Sequence, residues 1–176
     1  MSRWLCGHPE FVRGRAVHEV GAGVGLPGLV SASVGAASVL VSDGDPCARE
    51  VTQRACQHNA KILGDDRLRQ VRVLTLDWFS ALGQDFRPPA ISDVLLAVDV
   101  NYYVKANTAL LAMVKACLRP GGWLLLASRM GRAGLPGFLE LLTVDPHFEV
   151  EMEESFVSDV DGAQDKVWIF RRHDEG

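Results

Sequence analysis

The sequence lacks an excess of basic residues and any apolar run long enough to cross a membrane. Its 176 residues include 18 Lys and Arg against 22 Asp and Glu, for a formal net charge of −4. Binding along nucleic acid requires a broad basic surface, which this balance of charge does not supply. No secretory signal peptide is recognisable at the start,. We therefore expect neither a nucleic-acid partner nor a membrane location.

Cysteine is scarce, and its spacing excludes the usual cysteine-based sites. None of the four cysteines forms a CxxC pair, and none lies near a histidine at metal-ligand spacing,. The pattern predicts free thiols, no metal site and a reducing compartment, which is the cytoplasm or alternatively the nucleus. The order of Ser, His and Asp indicates no catalytic triad,.

The remaining chain has the length and patterning of one α/β domain spanning residues 1–176, without repeats or a linker,. Apolar runs alternate with helix-like segments, which predicts a mostly parallel sheet covered on both faces. Two final runs lack an intervening helix, so we expect an antiparallel hairpin there. The predicted strands are 15–20, 38–42, 71–76, 91–98, 123–128, 148–152 and 166–172, and the predicted helices are 26–34, 47–63, 107–118 and 136–144.

A glycine-rich turn lies between the first predicted strand and helix, in the sequence His-Glu-Val-Gly-Ala-Gly-Val-Gly-Leu-Pro-Gly at 18–28. Such a turn lets the backbone approach a ligand, and the helix that follows presents unpaired N–H groups to an anion. Gly23-x-Gly25-x-x-Gly28 fits the dinucleotide fingerprint. Glu19-x-Gly21-x-Gly23-x-Gly25 fits the pattern of S-adenosylmethionine (SAM) enzymes. The turn alone does not decide between them.

Acidic residues end or follow each of the first four predicted strands. Besides Glu19 these are Asp43, Asp77 and Asp99, and ligands of open α/β sheets lie beyond these strand ends,. Asp43 is spaced to accept hydrogen bonds from ribose hydroxyls, or alternatively forms an Asx turn. Asp77 could accept from an adenine amino group beside the flat face of Trp78, or belong to a plain loop. Asp99 follows a buried strand, so its carboxylate needs either a partner or a function.

These residues, taken in order, resemble class I (seven-β-strand) SAM-dependent methyltransferases. The likeness extends to Pro120-Gly121-Gly122 and covers most of the chain. Asp77-Trp78 after the third strand and Asp99-Val100-Asn101-Tyr102 after the fourth resemble, more narrowly, the methyltransferase-like group that includes many protein lysine methyltransferases. The resemblance implies a doubly wound, Rossmann-like sheet of seven strands with an antiparallel last strand.

The resemblance also implies roles for individual residues. Gly21 and Gly23 would contact the methionine part of SAM, Asp43 its ribose, and Asp77 with Trp78 its adenine. Asp99 and Tyr102 would border the methyl-transfer centre as catalytic residues. Glu19 and Ala97 complete the predicted cofactor-binding set.

The implied function is transfer of a methyl group from SAM to a lysine side chain of a protein, leaving S-adenosylhomocysteine. Two alternatives stay open, an inactive SAM-binding or interaction module and a nicotinamide-dependent oxidoreductase. The chain starts close to its first strand, so we expect it to lack part of the N-terminal segment usual in relatives. His18 replaces an apolar residue and receives no role, and Trp123 is expected in the core. The oligomeric state is left undetermined.

Overall fold

The computed structural model describes residues 1–63, 70–157 and 162–173. The helices are α1 (Ser2–Gly7), α2 (Leu26–Ser33), α3 (Pro46–Leu63), α4 (Asn107–Cys117) and α5 (Leu135–Val144). The strands are β1 (Ala16–Val20), β2 (Ser38–Asp43), β3 (Val71–Thr75), β4 (Ser92–Val98), β5 (Leu118–Arg129), β6 (Phe148–Val157) and β7 (Gln164–Arg172). Short 3-10 turns occupy Pro9–Phe11, Trp78–Leu82 and Val104–Ala106.

The strands form one seven-stranded sheet in the order β3-β2-β1-β4-β5-β7-β6. The first five strands pair in parallel, and β7 runs antiparallel to both β5 and β6. The predicted doubly wound sheet with an antiparallel last strand is confirmed. From β1 the chain winds outward through β2 and β3, then returns to β4 on the other side. Ligands of open sheets bind at such a reversal of strand order.

The two faces of the sheet carry separate apolar layers, and β4 belongs to both. Leu95 and Ala97 face the layer that contains Phe138 of α5, whereas Val94 and Leu96 face the layer that contains Leu5 of α1. This alternation follows from the two-residue period of a strand. Burying each large aliphatic side chain stabilises the fold by roughly 1.5–3 kcal/mol, before the entropy cost of ordering it.

Helix α1 has no counterpart among the predicted elements, yet it closes one face of the sheet. Trp4 is 5% exposed, stacks on His8 with ring centroids 4.2 Å apart, and donates from Nε1 to Glu154 Oε2 on β6 at 2.7 Å. A six-residue helix is too short to show a helical period in the sequence,. Among the described helices, none combines the length and apolarity needed to cross a membrane.

The structure corrects two expectations near the start of β5. The strand predicted at 123–128 begins at Leu118, so Pro120-Gly121-Gly122 lies within the bounds of β5, where Gly121 takes a φ of +69° and the register with β4 shifts. Trp123, expected in the core, is only partly buried, and the guanidinium groups of Arg15 and Arg171 lie 4.3 and 4.4 Å from its ring centroid. Its Nε1 donates to Glu151 Oε2 at 2.8 Å.

The final hairpin is confirmed, with longer strands than predicted, reaching Val157 on β6 and starting at Gln164 on β7. The loop between them includes residues 158–161, which lie outside the described residues.

Candidate functional site

The carboxyl ends of β1, β2, β3 and β4 lie along one edge of the sheet, since these strands are adjacent and parallel. This edge carries the glycine-rich turn after Val20, then Asp43, Asp77 and Asp99, and is called the glycine edge below. The fold therefore brings to one edge the four groups that the sequence places at four strand ends.

The glycine-rich turn adopts a backbone that only glycine adopts without strain. Gly21, Gly23 and Gly25 have φ values of +63°, +55° and +71°,. A Cβ on Gly21 would lie 2.6 Å from Trp78 Cζ2 and 2.8 Å from Val100 Cγ1, so this position is packed from the protein side. A Cβ on Gly23 would meet nothing within 4 Å. The turn is thus closed at Gly21 and open at Gly23.

Glu19, a predicted cofactor-binding residue, lies beneath this turn. Its side chain is buried, with the residue 1% exposed, and its Oε2 accepts the N–H of Gly28 in α2 at 2.8 Å. Burial raises the pKa of Glu19 to about 8, although the Gly28 hydrogen bond opposes the shift. The buried carboxyl group positions the start of α2, and its contact with a cofactor stays a prediction.

Ala97, also predicted to contact the cofactor, is fully buried within β4, in the layer that contains Phe138. Its backbone pairs with Val20 on one side and Leu126 on the other. Ala97 therefore supports the strand that precedes Asp99, and its contact with a cofactor stays a prediction.

His18 is the unusual residue of β1, and it is fully buried. Its Nε2 lies 2.8 Å from Ser42 Oγ, and Ser42 in turn donates to the carbonyl of Glu19 at 3.3 Å. Burial lowers the pKa of His18 to about 4, so the ring is neutral at physiological pH. The ring links β1 to β2 just before Asp43.

Asp43 ends β2 beside the open part of the turn. Its Oδ2 accepts the N–H of Gly23 at 2.8 Å, and its Oδ1 accepts the N–H of Asp45 at 2.9 Å. The expected Asx turn is present, because Asp45 lies two residues ahead. The same carboxylate also holds Gly23, so it is fixed beside the open part of the turn with lone pairs still available,.

Asp77 and Trp78 form the next part of the edge. Asp77 caps the turn Trp78–Leu82, because its Oδ1 accepts the N–H of Phe79 at 3.0 Å. The ring of Trp78 packs where a Cβ on Gly21 would lie. Its Nε1 is buried and has no hydrogen-bond partner among the described residues. An unpaired buried N–H costs free energy, which a ligand atom placed against it would recover.

Asp99 is held in an unusual conformation by a partner that the sequence analysis missed. It is the one non-glycine residue with a positive φ, 53°, in the described part of the chain. Arg132, in the loop after β5, forms two hydrogen bonds to its carboxylate, Nε to Oδ1 at 2.7 Å and Nη2 to Oδ2. Tyr102 donates its hydroxyl to Oδ2 at 3.0 Å. The guanidinium of Arg132 also lies 4.3 Å from the centroid of the Tyr102 ring.

These contacts set the charge of the Asp99 carboxyl. Partial burial alone would raise its pKa, but hydrogen bonds from Arg132 and Tyr102, with the charge of Arg132, hold the pKa below its usual value. The two predicted catalytic residues are therefore in direct contact, with Asp99 ionised and paired. Ligands of open α/β sheets lie beyond the carboxyl ends of the strands. Applied to the fifth strand, this rule would have drawn attention to the loop that contains Arg132.

A cavity of about 680 Å³ reaches this cluster from the α1 side. Its lining includes Trp4, Asp99, Arg132, Phe156 and Lys166, and does not include the glycine-rich turn. The Asp99 cluster is therefore accessible from the cavity on the α1 side. Among the described residues, no group of three or more His, Cys, Asp and Glu side chains is arranged to hold a metal ion.

Comparison with curated proteins gives relatives that are named as methyltransferases. Histone-arginine methyltransferase METTL23 of Mus musculus is 33% identical over 116 residues, 65% of this chain and 42% of the relative. Calmodulin-lysine N-methyltransferase of Arabidopsis thaliana is 30% identical over 63% of this chain and 35% of its own length. Electron transfer flavoprotein beta subunit lysine methyltransferase of Xenopus laevis is 25% identical over 97% of this chain and 64% of its own length. The chain spans about half the length of the METTL23 relatives it matches.

Comparison with solved structures shows the fold. N-methyltransferase NodS from Bradyrhizobium japonicum WM9 has a TM-score of 0.71 at 19% identity, covering 98% of this chain and 94% of NodS. A TehB-like SAM-dependent methyltransferase from Corynebacterium glutamicum ATCC 13032 Kitasato has a TM-score of 0.67 at 19% identity, covering 97% and 86%. Residues 6–145 match the sequence profile of the lysine methyltransferase family, from α1 through the end of α5. This match spans most of the chain, and the chain belongs to the lysine methyltransferase family.

Proposed function

We propose that this chain binds SAM at the glycine edge of the sheet and methylates a lysine side chain of a protein. The observation that carries the proposal is the opening at Gly23, beside the carboxylate of Asp43 that the Gly23 N–H fixes. The Trp78 ring packs at the neighbouring Gly21, and its buried Nε1 has no hydrogen-bond partner among the described residues. Family membership supplies the reaction type. This edge lies beside the reversal of strand order, where such folds bind nucleotides,.

The residues of the edge fit the chemistry of SAM. Gly23 lets the methionine part approach the backbone, and Asp43 presents acceptor oxygens to ribose hydroxyls. Trp78 offers an apolar ring and an N–H near the adenine, with Asp77 next to it. The open-turn geometry and the buried unpaired N–H support this assignment independently of the motif.

The acceptor side is formed by the cluster of Asp99, Tyr102 and Arg132. When bound, SAM supplies a methyl group on a sulfonium: the N–C bond forms as the C–S bond breaks, sulfur keeps the electron pair, and the nitrogen releases its proton to water. The protein has to orient a neutral amine and exclude water from it. The exposed ring of Tyr102 provides a wall for the acceptor side chain, and Asp99 fixes that ring through its hydroxyl.

We propose lysine as the acceptor because the family and several relatives are named as lysine methyltransferases. METTL23 is named as a histone-arginine methyltransferase, so arginine is the alternative that an experiment has to separate. The net charge of −4 supports a protein acceptor over nucleic acid,.

Isotope-labelled SAM, incubated with the purified chain and a cell lysate, tests the proposal. We expect label in protein, and mass spectrometry of the labelled peptide should place it on lysine. Label on arginine would change the acceptor, and label in RNA or metabolites would overturn a protein substrate. Calorimetry with SAM, S-adenosylhomocysteine and NAD separates the other functions. Binding of NAD alone would indicate an oxidoreductase, and SAM binding without transfer would indicate an inactive binding module.

A further inference from the structure

The carboxylate of Asp99 has little capacity left to accept hydrogen bonds. Arg132 occupies one position on each oxygen, and the Tyr102 hydroxyl occupies another on Oδ2. A carboxylate offers about four lone-pair positions, and these three hydrogen bonds occupy most of them. An incoming amine therefore meets an occupied ion pair at Asp99.

The charge of this pair matters for the acceptor because only a neutral amine has the lone pair for methyl transfer. A bare carboxylate next to a lysine side chain stabilises its ammonium form and raises its pKa. Pairing of the carboxylate with a guanidinium cancels this rise in the lysine pKa. Because the ion pair is partly exposed to solvent, the change in the lysine pKa is moderate. An unpaired Asp99 would thus hold the acceptor in its unreactive form.

Resting on the proposed function, we propose that Arg132 is a positioning and charge-setting residue of the acceptor site. By pairing with Asp99 it makes the site select a neutral amine over an ammonium ion, and it orients Tyr102 as the wall of that site. This role for Arg132 also revises the simplest role for Asp99, which would be to bind the acceptor amine directly.

The loop that carries Arg132 is attached closely to the segment after β4, which supports a specific role. The N–H of Gly134 donates to the carbonyl of Asn101 at 3.0 Å, and Asn107 Nδ2 donates to the carbonyl of Gly134 at 2.8 Å. A Cβ on Gly134 would lie 2.9 Å from the Asn101 carbonyl oxygen, so the approach requires glycine. The two loops thus hold Arg132 and Asp99 in a defined relation.

Further charged groups line the cavity beside the cluster. Arg129, at the end of β5, lies 3.5 Å from Asp165 of β7, and Lys166 of β7 pairs with Glu153 of β6. On the α1 side, Glu154 accepts from Trp4 Nε1, and Met1 and Arg3 also line the cavity. Arg132 is the cation that hydrogen-bonds both oxygens of Asp99, so its loss removes the counter-charge in direct contact with that carboxylate.

Binding of n-butylamine, a mimic of the lysine side chain, tests this without turnover. The amine is titrated by NMR into the unliganded protein across the pH range in which it loses its proton. Apparent affinity should rise with pH for the wild type and fall with pH for Arg132→Met. Arg132→Lys keeps the charge and should follow the wild type, as should Arg54→Met, which removes a cation from exposed α3. The same pH dependence in wild type and Arg132→Met, or no binding to either, would overturn the proposal.

Single-turnover transfer to poly-L-lysine gives the second measurement. For Arg132→Met, the rising limb of the pH–rate profile should move up by about one pH unit, from loss of one partly screened charge near the amine. At high pH its rate should approach that of the wild type. An equal loss at every pH would indicate a merely structural role, and a gain at every pH would indicate that Arg132 competes with the acceptor; each overturns the proposal. If the wild type transfers no methyl group to any protein, the proposed function fails, while the n-butylamine titration still decides the role of Arg132.

Discussion

Replacing Gly21 and Gly23 by alanine, one at a time, separates packing of the glycine-rich turn from contact with the cofactor. Both residues have positive φ, so alanine costs roughly 1–2 kcal/mol of strain at either position,. At Gly21 the new methyl group would also meet Trp78 and Val100 below 3 Å. Overpacking of this kind adds about 1–3 kcal/mol. Gly21→Ala should therefore lower the free energy of unfolding by about 2–5 kcal/mol, and Gly23→Ala by about 1–2 kcal/mol.

Affinity for SAM should follow a different order from stability. The methyl group of Gly23→Ala would project into open space beside Asp43, where the cofactor is proposed to lie. This variant should stay folded and lose at least tenfold in SAM affinity, which is about 1.4 kcal/mol. Urea denaturation gives the stabilities and calorimetry gives the affinities. Unchanged SAM affinity in Gly23→Ala would refute the placement of the cofactor. Equal destabilisation by the two variants would refute the packing of Trp78 on Gly21.

Three further substitutions test the neighbouring residues. Asp43→Ala should weaken SAM binding by about 3 kcal/mol in calorimetry and cost less than that in stability, and the reverse order would leave Asp43 as a turn cap only. Trp78→Phe removes Nε1 together with the part of the indole that packs on Gly21, so SAM affinity should fall severalfold and stability should fall as well; unchanged affinity would exclude Nε1 as a ligand donor. Between pH 6.5 and 8 the folded chain keeps a proton on Glu19 that the unfolded chain has lost, so stability should fall as pH rises there,. Glu19→Gln should remove this fall of the unfolding free energy with pH, as measured by urea denaturation. The lowered pKa of His18 makes stability rise with pH instead, but only below about pH 6.5,.

The sequence predicted the sheet well because its strands are marked by continuous apolar runs and its turns by glycine and aspartate. Helix α1 escaped detection because six residues hold too little periodicity,. The strand predicted at 123–128 starts at Leu118 in the structure and continues through the positive φ of Gly121. The residue at which β5 starts is set by its pairing with β4, which local sequence does not encode.

The site was predictable as far as it depends on strand ends. Asp43, Asp77 and Asp99 follow from the alternation of strands and helices, whereas Arg132 lies 33 residues from its partner Asp99. No local pattern marks an ion pair between two loops. The direction of the Glu19 side chain was equally hidden, because an acidic residue before a glycine-rich turn can face the ligand or the helix behind it.

The position of β7 has a consequence for how the chain reaches its folded state. This strand is synthesised after the other six, yet it lies between β5 and β6 and pairs with both. Until its residues leave the ribosome, the apolar edge of β5 has no neighbour, and β6 has no place in the sheet. Unpaired strand edges of this kind promote association between chains. A chain interrupted before Gln164 should therefore aggregate during synthesis, even though every residue of the glycine edge and the Asp99 cluster is already present.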